Sequence, residues 1–102
     1  MTVKLVVLYT QPDDREAFDK EYAEVHMPLV EQVPGLQRTE VGRLVTALDG
    51  GEKTYHWMAE LYFADQEAMQ AAFGTDEGKA TAAHYGKIAP PGSRMFVQNV
   101  TD

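Results

Sequence analysis

The chain has 102 residues, 44% of them hydrophobic, with one Trp, five Tyr and four Phe: enough for the packed core of one small domain and too little for a second. A net charge of −7, with nine Lys and Arg scattered along the chain, argues against a phosphate-tracking surface, so no nucleic acid is expected as a partner. The absence of cysteine excludes disulfides, thiolate nucleophiles and Cys-ligated zinc, and the apolar run at the N-terminus is too short for a signal peptide or a membrane span, so the chain reads as a soluble cytoplasmic protein.

Val3 to Tyr9 is almost continuously apolar and stops at Thr-Gln-Pro-Asp-Asp, the pattern of a buried strand followed by a turn. Asp13 and Glu16 have capping-box spacing, and Ala17, Phe18, Tyr22, Val25 and Leu29 follow at helical intervals, predicting a helix from about Asp14 to about Met27. Pro28 lacks an N–H and disfavours the α conformation at Met27, so the regular helix should break or kink just beyond His26. Leu36 to Leu48 and Lys53 to Phe63, separated by Asp49-Gly50-Gly51, read as a hairpin. Asp65 can cap a helix through Phe73, with Gly74 at its C-terminal end. Thr75 restarts helical sequence as far as Tyr85, with Gly86 as its end, and Met95 to Val100 alternates as a last strand. The order strand, helix, strand, strand, helix, strand predicts an α+β, ferredoxin-like (βαββαβ) single domain: a four-stranded antiparallel sheet with its helices on one face.

Helices on one face leave the other bare, yet the strands are apolar on both sides. Val3, Leu5, Val7 and Tyr9 alternate with Val6 and Leu8, and Trp57, Ala59, Leu61 and Phe63 alternate with Met58 and Tyr62. A face that apolar calls for a second copy packed sheet to sheet, so a homodimer is expected.

His26 is the leading chemical group. It lies four residues after Tyr22, on an inward stripe with Phe18 and Val25, near the negative end of a helix dipole and at the rim of the core. The helix end favours its protonated form and burial disfavours it, a balance that places a histidine where it can move a proton. The bland alternative is a structural histidine bonded to backbone. His56 is expected on the third strand with Met58, Glu60 and Tyr62 on its face, opposite the face that carries Trp57; that face mixes apolar and ionisable groups as a ligand-lined cavity does, or as a solvated rim or dimer seam does. His84 reads as an outer or end-surface histidine, and Arg38, Arg43 and Arg94 as surface or interface ion-pair formers. Ser93, the only serine, follows Pro-Pro-Gly with no nucleophile elbow, no glycine-rich phosphate loop occurs, and the three histidines have no close metal-ligand spacing. No metal and no cofactor is expected.

Two functions suit these groups. One is an isomerase, cyclase or dehydratase of a small carbonyl or aromatic compound, with catalytic His26 shuttling a proton while Tyr22 or Glu60 steadies the enolate or the imidazolium. The other is a binding module that holds an apolar metabolite. Phe18, His56, Trp57, Met58 and Tyr62 are the expected ligand-binding residues, with Phe63 as a further wall.

The pattern Tyr-x-x-x-His-x-Pro-Leu at Tyr22 to Leu29, then Val33-Pro34-Gly35-Leu36, and the helix start Phe-x-Asp-x-x-Ala-Met at Phe63 to Met69 resemble the EthD family over nearly the whole chain. The resemblance implies a dimeric α+β barrel in which two ferredoxin-like subunits face their sheets together. It also implies a context of ethyl tert-butyl ether degradation beside a cytochrome-based monooxygenase system. The wider superfamily includes cofactor-independent enzymes acting on lactones and aromatic polyketides. Onto this chain the resemblance carries only His26, as the polar group of a cavity between helices and sheet.

Overall fold

The computed structural model describes residues 1–101. Its elements are β1 (Val3–Thr10), α1 (Arg15–Glu21), a π turn (Tyr22–His26), α2 (Met27–Glu31), β2 (Arg38–Arg43), β3 (Tyr55–Phe63), α3 (Gln66–Phe73), α4 (Asp76–Ile88) and β4 (Arg94–Asn99). All strand pairs are antiparallel, in the order β2-β3-β1-β4, and the helices cover one face: the expected ferredoxin-like arrangement. The most apolar strands, β1 and β3, take the two interior places. Alternation then sends Val3, Val7, Tyr9, Ala59, Leu61 and Phe63 under the helices, where they meet Phe18, Tyr22, Val30, Met69 and Ala72 in one core.

Three side chains start the helices by taking up orphan N–H groups: Asp14 accepts from Ala17 N, Asp65 from Ala68 N and Thr75 Oγ1 from Gly78 N. Asp14, not Asp13, is the first cap. The first helical segment does not end near Met27; it runs on to Glu31 with Pro28 in the first turn of α2. A π turn absorbs the proline. Met27 N donates to Tyr22 O five residues back, and this wider turn lets the helical path continue past a residue that has no N–H to give.

Other boundaries move for similar reasons. β2 ends at Arg43, and Val45 and Leu48 lie in the connection with 77% and 97% of their surface exposed, because beyond Leu44 N, which donates to His56 O, there is no further pairing with β3. Gly50, at φ +78°, makes the tight turn of that connection. Gly86 does not end α4, which continues to Ile88 because Tyr85 and Ile88 still pack on the core; Pro90-Pro91 stops it instead. β4 spans Arg94–Asn99, one residue earlier than expected at each end.

The bare face of the sheet is less uniformly apolar than its pattern implied. Val6, Leu8, Met58 and Phe96 form an apolar area, but beside it Lys4 pairs with Glu60, Arg38 Nη2 donates to Glu40 at 2.9 Å, and the Tyr62 hydroxyl donates to the same carboxylate at 2.7 Å. No helix among the described residues is long and apolar enough to cross a membrane.

Candidate functional site

Along a regular helix, residues four apart drift by about 40° per step, so a long i, i+4 series leaves the buried face. The π turn widens the spiral and cancels part of that drift. Phe18, Tyr22, His26 and Val30 consequently all stay buried on one stripe, while Val25, expected on it, is 41% exposed. Tyr22 and His26 bracket the turn with ring centroids 5.0 Å apart.

His26 is met there by a residue from the other end of the chain. Its Nδ1 lies 2.9 Å from His84 Nδ1, and His84 Nε2 lies 2.8 Å from Glu21 Oε2. His84, expected on an outer or end surface, is buried, because α4 packs across the π turn with the face that carries Thr81, His84 and Tyr85. Glu21, the last residue of α1, keeps 47% of its side chain exposed, so the row Glu21, His84, His26 runs from solvent into the core. Burial, with the neighbouring His84 second, pushes His26 down to about 4, so at neutral pH it is an uncharged imidazole.

The row ends at a cavity of about 290 Å³ between helices and sheet. Leu5, Val7, Ala59 and Leu61 form its floor, Val30, Met69, Phe73 and Tyr85 its walls, and the half-exposed Met95 of β4 its rim. His26, Tyr22, Tyr9, Thr81 and Tyr85 supply the polar side chains of this apolar lining. Burial pushes the Tyr22 hydroxyl up to about 12, an effect the Trp57 indole N–H partly offsets. The two are not placed for a hydrogen bond, however, and both Tyr22 Oη and Trp57 Nε1 are buried without a partner among the described residues.

Of the side chains expected at the site, Tyr22 and His26 reach this cavity and the others do not. Phe18 sits behind Tyr22, 6.0 Å between centroids, and Trp57 lies 5.1 Å from Tyr22 on that same far side. His56 is not on the outer face with Met58. Tyr9 pairs with Trp57 but Thr10 pairs with Tyr55, so His56 is the extra residue of a β-bulge. The bulge turns it under α1, fully buried, with Nε2 2.7 Å from Asp19 Oδ1 and its ring 5.6 Å from Phe18. Glu60 lies across the sheet, paired with Lys4, and Met58 and Tyr62 share that outer face. The sequence reading missed Thr81 and His84. Their i, i+3 spacing, continued by Tyr85 and Ile88, was the signal that α4 turns a polar-looking face inward. Among the described residues no group of three or more His, Cys, Asp or Glu could hold a metal ion.

Residues 11–91 match the family model of the EthD domain. A Rhodococcus erythropolis protein, described as an uncharacterized 11.0 kDa protein in the thcB-thcC intergenic region, is 34% identical over 93 residues, 91% of this chain and 89% of that one. The crystal structure of an ethyl tert-butyl ether D (EthD) family protein from Bacillus halodurans superposes with a TM-score of 0.92 at 39% identity, covering 99% of this chain and 100% of that one. A protein of unknown function from Thermobifida fusca, described as dimeric and ferredoxin-like, shares the fold at a TM-score of 0.73 and 11% identity, over 98% of this chain and 92% of that one.

Proposed function

This chain belongs to the EthD family, and from that premise we propose that it catalyses a proton transfer on a small carbonyl, lactone or aromatic compound, as an isomerase, cyclase or dehydratase working through its own side chains. One observation carries the reading: an uncharged, buried imidazole, His26, lines an apolar cavity beside Tyr22, whose buried hydroxyl has no hydrogen-bond partner among the described residues. His26 moves the proton. Tyr22 donates to the oxygen on which negative charge develops, a bond worth more in this apolar lining than in water. Glu60, across the sheet, takes no part.

The test is a comparison of the protein with its His26→Gln variant against a panel of small lactones and enolisable ketones, with ligands first found by their effect on the melting temperature. Turnover lost in His26→Gln with affinity kept supports the reading; turnover unchanged refutes it. A second reading rests on the lining, in which apolar side chains outnumber polar ones: the chain holds an apolar metabolite for a monooxygenase system without acting on it. It requires no turnover in either form and an affinity that follows the size of the wall residues.

The working assembly in this proposal is a homodimer in which two copies bring together the area formed by Val6, Leu8, Met58 and Phe96. Phe96 is 41% exposed in the single subunit, and the Thermobifida fusca protein of the same fold is described as dimeric.

A further inference from the structure

We infer that Glu21 and His84 set the polarity of His26, presenting it to the cavity as a proton acceptor, so that the first chemical step is removal of a proton from a carbon or oxygen acid and not protonation of the substrate. This rests on the proposed proton-transfer function and adds its direction.

The hydrogen bonds of the row run inward from solvent. A carboxylate offers only lone pairs, so Glu21 Oε2 accepts, and at 2.8 Å His84 Nε2 must carry the proton. A neutral imidazole with Nε2 protonated has an acceptor at Nδ1. The two Nδ1 atoms are 2.9 Å apart, and one of them must donate, so the proton between the rings belongs to His26 Nδ1. His26 Nε2 is then left with a lone pair. It has no hydrogen-bond partner among the described residues, and His26 belongs to the cavity lining. The positioning is as complete as the tautomer: each ring is held at one nitrogen by its neighbour, and the rings lie nearly parallel, 25° between planes.

The same row accounts for the charge. When Nε2 takes a proton from the substrate, the Nδ1 proton of His26 passes to His84 Nδ1, the Nε2 proton of His84 passes to Glu21, and both rings stay neutral while the half-exposed carboxylate takes up the proton. The row is thereby left in the opposite polarity, with His26 Nε2–H facing the cavity. It can then return a proton to a second atom of the same molecule as Glu21 gives its proton back along the row. That sequence suits an isomerisation or a cyclisation of an enolisable compound; a dehydration that must begin by protonating a leaving hydroxyl finds no donor on His26 at the start.

The experiment is long-range ¹H–¹⁵N correlation spectroscopy of the imidazole rings in the full chain at neutral pH, for the wild type, Glu21→Ala and Glu21→Gln, each with its unfolding midpoint measured. The wild type should show His26 protonated on Nδ1 and His84 on Nε2. Glu21→Ala removes the acceptor that fixes the row, so the ¹⁵N resonances of both rings should move toward the average of the two tautomers; Glu21→Gln keeps an acceptor oxygen and should restore the wild-type pattern. A wild type with His26 protonated on Nε2, or with His84 carrying both protons, overturns the inference, as does an unchanged pattern in Glu21→Ala. None of these readouts needs turnover. A failure here is therefore distinct from a failure of the catalytic reading, which the His26→Gln comparison decides.

Discussion

Placing His84 against His26 depends on how closely α4 can approach α3, and Gly78 governs that approach. A Cβ added at Gly78 would lie 2.1 Å from Ala72 O, 2.7 Å from Phe73 Cα and 2.9 Å from Ala72 C, all backbone atoms of the preceding helix. No side chain can swing aside to make room. Gly78→Ala must therefore open the 2.1 Å approach to Ala72 O by about 1.3 Å to reach ordinary contact distance, the kind of overpacking that costs about 3 kcal/mol at the upper end of the usual range. Replacing Gly by Ala in a helix returns about 1 kcal/mol of propensity, so the net loss is about 2 kcal/mol, or roughly 8 to 16 °C in Tm for a domain of this size. Gly86, in the same helix, has nothing within 4 Å of the added Cβ. Gly86→Ala should thus gain about 1 kcal/mol from propensity alone. Thermal and urea unfolding of the three proteins at one protomer concentration measures both changes. A Gly78→Ala variant as stable as the wild type, or a Gly86→Ala variant that loses as much as Gly78→Ala, would refute the reasoning that backbone approach at Gly78 holds α4 in place.

His26 gives the fold a pH dependence of definite sign. Its folded-state pKa, about 4, lies below the ordinary 6.5, so its contribution is complete above pH 6.5 and is lost as pH falls toward 4, up to about 3 kcal/mol; His26→Phe should flatten urea midpoints across that window, and an unchanged slope would assign the loss elsewhere. If the homodimer joins the bare sheet faces, Leu8→Glu at that face should give a monomer by light scattering at micromolar concentration, and a wild type already monomeric there ends the proposal. Asp19→Ala leaves buried His56 Nε2 without its partner and should cost about 1 to 3 kcal/mol in urea unfolding; a cost below a few tenths would mean that water replaces the carboxylate.

The fold was legible in the sequence because it rests on local periodicity. The apolar alternation of Val3 to Tyr9, the Asp-Gly-Gly connection of the hairpin and the caps at Asp65 and Thr75 each mark their element from neighbouring residues alone. Tyr22 and His26 were legible for the same reason, since four-residue spacing holds across an α or a π turn closely enough to leave both facing inward. What remained hidden depends on register between distant segments. His56 has the alternation of an outward residue, and only the pairing of Tyr9 with Trp57 and of Thr10 with Tyr55 reveals that the strand carries one residue too many just there. Proline chemistry read from neighbours predicts a helix end at Pro28, but packing of Val30 into the core makes continuation through a π turn the better solution. The contact that gives His26 its direction joins residues 58 apart in the chain, through helices whose approach is set by the absent side chain of Gly78. Sequence determined which groups could face inward; which of them touch was decided by the packing of α4 across the π turn, because a hydrogen bond between two buried rings exists only once both backbones have been placed.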